Sequence, residues 1–263
     1  MSLSSELKET LKTLAQTYET ADFLNDDPSR FLRWYSDPAD VEAAAFIAAM
    51  LSFGSRKQFI PKIQEIFELA DAHGGMKRWL TDGNCGGDFR SFAEKSGCGG
   101  NYNRKFYRFY SYEDMIDLFE RMGGILKKNG TFGECVYSEW HASPEKHLAE
   151  VVSGLFSGCA VVPQGKTSAN KRIHMYLRWM VRRNSPVDLG LWNWYSPADL
   201  ILPLDTHVIQ ESIRLGLIPE KSSATLKTAR AVTNSLKEIW QDDPCKGDFV
   251  LFGLGVDQNK NDE

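Results

Sequence analysis

The chain has no long apolar run: nothing approaches the roughly 18 to 20 uninterrupted apolar residues that a bilayer core demands of a spanning helix. Paired cysteines are missing too. Cys85, Cys98, Cys135, Cys159 and Cys245 are odd in number and widely spaced, with no CxxC to hold zinc, an iron–sulfur cluster or a redox dithiol, so they read as free thiols. No metal and no cofactor is implied. Alternating apolar and polar residues bounded by hairpin turns are almost nowhere to be found. Nor is there an excess of positive charge. Thirty-one Lys and Arg stand against 35 Asp and Glu, with a net charge of −4 and a pI near 5.8, which excludes a histone-like basic coat. Any nucleic-acid contact would have to come from a local patch. The opening "MSLSSELKETLKTLAQTYET" reads as an amphipathic helix rather than a signal peptide, and a cytoplasmic address with no membrane partner is the expectation.

What is present is helical periodicity, which predicts an all-α protein; at 263 residues, one two-lobed unit or two small domains would fit. After the opening helix the pattern gives a short helix, a turn at Asp37 and Pro38, a very apolar helix over about 40–53 and another over about 57–71, broken apart by Gly54 and Ser55. The glycine-rich text over 79–101 reads as including an exposed loop, either a lobe boundary or an insertion. Helix resumes in "YRFYSYEDMIDLFERMGGILKKNG", from about 107. A later one, "SPEKHLAEVVSGLF", has Ser143 as its cap and Pro144 in its first turn. No internal repeat or low-complexity segment is found.

Two segments carry the candidate chemistry. "KRIHMYLRWMVRR", residues 171–183, holds five basic residues among its thirteen. On a 3.6-residue period Ile173, Tyr176, Leu177 and Met180 share one face, while Lys171, Arg178 and Arg182 share a cationic one. Alone, this is a solvated helix face whose last arginines complement the macrodipole. Downstream, in "LILPLDTHVIQESIRLGL", Pro203 stops an apolar run and Asp205 stands just before a helix over about 206–215. An aspartate there is an ordinary N-cap, yet it also leaves one carboxylate fixed at a helix end. His207 behind it reads as a packing or supporting residue, Asp188 in "SPVDLG" as a turn residue, and Asp248 as a cap of the last helix.

At this point the sequence resembles a family. "AAFIAAMLSFGSRKQFIPKIQEIFELA" is similar to the early helix–loop–helix of the helix-hairpin-helix DNA glycosylases of the endonuclease III type, and "LDTHVIQESIRLGL" is similar to the segment that carries their catalytic aspartate. "YNRKFYRFYSYEDMIDLFERMGG" resembles the helix between them. The chain as a whole looks closer still to a set of bacterial proteins grouped without an assigned function. Two features depart from the glycosylase pattern. The glycine-rich hairpin is replaced by "VVPQGKTSANKR", and the four-cysteine cluster of endonuclease III, which many relatives lack, is absent.

The resemblance implies an all-α fold of two lobes with a cleft between them, one lobe over about 40–160 and the other formed by the N-terminal helices and 161–263. It implies a DNA repair glycosylase with AP-lyase activity on a damaged, by hypothesis oxidised, base in double-stranded DNA, with no obligate protein partner. In such enzymes a lysine opens a helix after the hairpin. Lys171 and Lys166 both qualify by position, and the long interval to Asp205, as in archaeal 8-oxoguanine glycosylases, favours Lys171. Lys171 would attack C1′ of a flipped nucleotide and Asp205 would assist proton transfer and steady the sugar. Ser55, Arg56 and Lys57 would enter the duplex, and Lys166, Thr167, Ser168, Arg172 and Arg178 would hold phosphates. Phe53, Met175, Trp179 and Trp192, with Trp194 and Tyr195, are the candidates for a base pocket, although aromatics in helical proteins are usually core. A glycosylase that uses water in place of Lys171 keeps Asp205 alone. A non-catalytic DNA- or RNA-binding protein that retains the fold is the alternative of a different class.

Overall fold

The computed structural model describes residues 3–261, and their regular structure consists of twelve α-helices, four short 3-10 helices and one two-stranded hairpin. The mostly helical fold agrees with the periodicity. By their internal contacts the residues form two units, a central one, Pro28–Gln164, and a terminal one made of Met1–Asp27 and Gly165–Glu263. The first boundary falls ahead of Pro28 rather than near residue 40. Phe31 and Leu32 of the 3-10 segment Pro28–Arg33 are buried, and the Phe31 ring stacks on Phe67 at 5.1 Å, which holds this segment to the central unit.

The central unit is arranged around α2 (Pro38–Leu51). Asp37 caps it by accepting from the backbone N–H of Ala39 and Asp40, and Pro38 supplies a preset φ in the first turn. Every residue from Val41 to Leu51 is buried, and the five alanines among them let neighbours approach closely on all sides. Those neighbours are α3 (Arg56–Asp71), α4 (Met76–Thr81) and α7 (Phe132–Ala142). The one charged residue buried on α2, Glu42, accepts from the Gly133 N–H at 2.7 Å and so satisfies a free donor at the start of α7.

The glycine-rich stretch does include an exposed turn, around Gly97, Gly99 and Gly100, but most of it is helix. It holds the end of α4 and all of α5 (Cys85–Lys95), because Phe89 is fully buried among Phe92, Phe106 and Phe119, and that aromatic burial outweighs the poor helix propensity of Gly86 and Gly87. Gly86 is also needed for packing, since a Cβ there would lie 2.4 Å from Glu120 Oε1. The hairpin β1 (Lys105–Tyr107) and β2 (Tyr110–Ser111), which the sequence does not announce, turns through Arg108 at φ +50°. It leads into α6 (Tyr112–Asn129), opened by a Ser111/Asp114 capping box. Ser143 does not cap a helix start; it closes α7, and α8 (Leu148–Leu155) begins at His147, whose Nδ1 accepts from the Ala149 N–H.

In the terminal unit α1 (Ser5–Tyr18) and α10 (Thr206–Arg214) pack on α12 (Gly247–Asn261), with α9 (Lys171–Val181) and α11 (Leu226–Lys237) completing the set. Leu11, Ala15 and Val250 form one core cluster of this unit. Among the described residues no helix is long and apolar enough to cross a membrane.

Adjacent glycines of α6 give a paired test of the packing. A Cβ on buried Gly123 would meet the Leu80 carbonyl oxygen at 2.2 Å, whereas one on exposed Gly124 meets nothing within 4 Å. Gly123→Ala is expected to destabilise the chain by about 1–3 kcal/mol, and Gly124→Ala to stabilise it by about 0.5–1 kcal/mol. Denaturant melts of the two variants check the opposite signs.

Candidate active site

Residues 165–170 form a pinned loop that fixes the start of α9. The Asn170 side-chain amide donates to the Gly165 carbonyl at 2.7 Å, Ser168 bridges to Thr225, and the Leu226 N–H donates to the Thr167 carbonyl at 2.9 Å. Asn170 takes left-handed backbone (φ 44°, ψ 44°), which asparagine tolerates better than most residues, and Lys171 follows as the first residue of α9.

Asp205 sits 34 residues further on, in extended backbone, as the N-cap of α10. Its Oδ1 accepts from the Val208 N–H at 2.9 Å. Its Oδ2 accepts from Lys171 Nζ at 2.5 Å. Both side chains keep some contact with solvent, 35% for Lys171 and 22% for Asp205. Burial works to raise the Asp205 pKa, but the Lys171 charge and hydrogen bond and the Val208 N–H outweigh it and hold the carboxyl below its usual range. Asp205 is therefore ionised at neutral pH. His207, on the first turn of α10, is exposed and lends a further small electrostatic pull in the same direction.

The two residues come together within the terminal unit from separate helix starts. Lys166, Thr167 and Ser168 are exposed on the pinned loop, and Arg172 is half-buried beside Lys171. Ser55, Arg56 and Lys57 belong to the central unit, where Ser55 stands at the N-cap of α3 and Ser55 and Lys57 are exposed. Phe53 is half-buried there, its ring 5.0 Å from those of Tyr107 and Phe109.

Arg178 is a correction. It does not stand on a solvated cationic face: it is 4% exposed, donates to Asp188 Oδ1 at 3.2 Å and to Asp248, and lies over the Phe249 ring at 4.5 Å. Arg182 is buried as well, paired with Asp188, with Asp243 at 2.8 Å and with Glu19 at 2.9 Å. Neither arginine can reach a phosphate without leaving these partners. The cationic stripe is thus divided, Lys171 at the site and the two arginines in the core. The base-pocket candidates are corrected too. Trp179 has no exposed surface, Trp192 is 1% and Met175 8% exposed, and Tyr195 is also buried. Trp192 stacks on half-buried Trp194 at 5.4 Å, so these rings fill the interior rather than offer a face to a base.

Asp188, read as a turn residue, and Asp248, read as a cap, are instead acceptors of the buried guanidinium groups. A signal for this is present in the sequence: Ile173, Met175, Tyr176, Leu177, Trp179, Met180 and Val181 place apolar residues all round α9, the mark of a buried helix, and a buried arginine requires acids. Four carboxylates, Glu19, Asp188, Asp243 and Asp248, surround two guanidinium groups. Burial, stronger than the attraction of Arg178 and Lys171, raises the Asp248 pKa to about 6.

Residues 27–257 match the family described as "Protein of unknown function (DUF2400)". The chain belongs to this family. No curated protein and no solved structure matches it. The matched residues include the Lys171–Asp205 pair and the buried arginines with Asp188, Asp243 and Asp248, though not Glu19, and the family description names no chemistry for any of them.

The folded chain holds the Asp248 proton to about pH 6, whereas an unfolded aspartate releases it near pH 3.9, so the folded state binds more protons in between. The Asp248 contribution to stability therefore falls as pH rises from about 4 to about 6 and is level above that. Asp205, held low, acts in the opposite sense and only below about pH 4. Asp248→Asn, which cannot ionise, is expected to lessen the decline between those pH values, to which Asp40 and Asp188, also held above their usual range by burial, contribute. Thermal melts across this window that keep the wild-type slope would contradict the assignment.

Proposed function

We propose that this chain is a DNA repair glycosylase with AP-lyase activity and a helix-hairpin-helix glycosylase-like fold, acting on double-stranded DNA that carries a damaged, oxidised base. The observation that carries the reading is the 2.5 Å contact between Lys171 Nζ and Asp205 Oδ2, an amine and an acid from two helix starts, both open to solvent in part. In this reading Lys171 passes a proton through Asp205 to the departing base and attacks C1′. The glycosidic C1′–N bond breaks, the base leaves with the bonding pair and takes up a proton, and the Lys171 nitrogen becomes bonded to C1′. Ring opening yields a Schiff base. Loss of a C2′ proton then expels the 3′ phosphate by β-elimination. Asp205, ionised at neutral pH, accepts the lysine's hydrogen bond and steadies positive charge on the sugar as the base departs.

One observation favours a second version of the same chemistry. The Lys171 amine is already engaged by Asp205 in a closed ion pair, and in that arrangement a water, not Lys171, would be the nucleophile and Asp205 the sole catalytic carboxylate.

Borohydride trapping on duplexes with an abasic site or an oxidised base separates the two. Wild type is expected to form a covalent adduct that Lys171→Gln abolishes, while Asp205→Asn slows base release by about 10²-fold or more. Base release without strand nicking, kept in Lys171→Gln and lost in Asp205→Asn, selects the water mechanism. An adduct that survives Lys171→Gln and disappears in Lys166→Gln moves the nucleophile to Lys166. No adduct and no base release on any lesion overturns the reading.

A further inference from the structure

The terminal unit contains a second cationic feature, separate from the Lys171–Asp205 pair. α11 carries Lys227, Arg230 and Lys237 and no acid along its twelve residues. Its buried face is Thr228, Ala229, Val232, Thr233 and Leu236, which turns Lys227, Arg230 and Asn234, spaced by three and four, outward together. They line an open groove of about 600 Å³ with Lys166 of the pinned loop, and no carboxylate is among the lining residues. The loop is tied to the helix start, where the Thr167 carbonyl accepts from the Leu226 N–H and Ser168 bridges to Thr225.

Several other basic side chains are managed differently in this acidic chain. Lys8, Lys12, Lys62, Arg78, Arg90, Arg121 and Arg214 each pair with a carboxylate at the surface, and Arg178 and Arg182 do so in the interior. Like charges three residues apart on one helix face, with a third cation held against them, repel one another unless a counter-charge arrives. An anion is the ligand whose charge suits this lining.

We propose that Lys227, Arg230 and Asn234, with Lys166, grip the phosphodiester backbone of a nucleic-acid strand without reading its sequence. The inference rests on the nucleic-acid reading given above and extends it to α11. No aromatic ring lines the groove, so there is nothing on which a base could stack, while Leu226 and Ala231 offer apolar contact to sugars. Lysine and arginine charges and an amide donor are the chemistry of backbone positioning.

The test is binding of a fluorescein-labelled, undamaged duplex over a salt series, wild type against the double variant Lys227→Ala, Arg230→Ala. Both residues are exposed, and an unchanged melting temperature confirms that the variant is folded. The plot of log K against log salt is expected to be shallower by about two in the variant. An unchanged slope overturns the groove as a phosphate site. So does binding of poly-glutamate as tight as that of the duplex and lost in the same variant, which assigns the groove to an acidic protein segment. Wild type that traps a lesion duplex at Lys171 while the variant keeps its salt slope removes only the groove. Wild type that binds no duplex at all removes both readings.

Discussion

The terminal unit depends on two guanidinium groups kept out of water. Arg178 and Arg182, one turn apart in α9 and just past its end, hold together segments far apart in the chain: Glu19 after α1, Asp188 after α9, Asp243 ahead of α12, and Asp248 within it. The charged groups stay buried only because each has partners; removing one partner of such a cluster typically costs about 3–5 kcal/mol, since a charge is then left uncompensated. Phe249 covers both guanidinium groups from the side, 4.5 Å and 5.2 Å from the ring centroid. The cluster fixes the axis and rotation of α9. Lys171 lies two turns upstream on the same rigid element, so the direction in which its amine leaves the helix follows from a constraint buried well behind it.

This division explains why an acidic chain gathers positive charge on one short apolar segment. The five cations have three destinations. Arg178 and Arg182 serve the interior, Arg183 donates to the carbonyls of Asn193 and Tyr195 at 2.6 and 3.2 Å and closes the following loop, and Lys171 and Arg172 remain at the helix start. A 3.6-residue projection places Lys171, Arg178 and Arg182 on one stripe, but it cannot say that the stripe dives beneath the surface after its first turn.

Local chemistry is legible in the sequence and distant pairing is not. Asp37–Pro38 and Asp205 announce helix starts through a short acceptor side chain followed by residues that tolerate the first turn, and such signals act within four residues of each other. The pairing of Lys171 with Asp205 is legible only through resemblance, because 34 residues separate them and no local rule links an amine to a distant carboxylate. α5 is hidden because its stability comes from Phe89 in an aromatic cluster, a tertiary gain larger than the helix-propensity cost of its two glycines. Arg178 and Trp179 mislead for one shared reason: α9 is apolar nearly all round, and a projection onto two faces treats one of them as wet.

The Lys171–Asp205 pair is poorly explained as a stabilising device. A lysine in the first turn places its charge at the positive end of the helix dipole, the unfavourable end, and an asparagine in left-handed backbone precedes it. Asp205 needs only one oxygen to cap α10, and Oδ1 does that alone. A single, partly solvated ion pair returns little stability for these local costs. The arginines a few residues away show how this unit builds an ion pair whose task is structural: buried, multiply hydrogen-bonded and covered by an aromatic ring. Within one helix the two styles stand side by side. The contrast supports assigning chemistry to the pair that is left open, because a local rule broken without a compensating gain in packing is what a site retained for reaction would show.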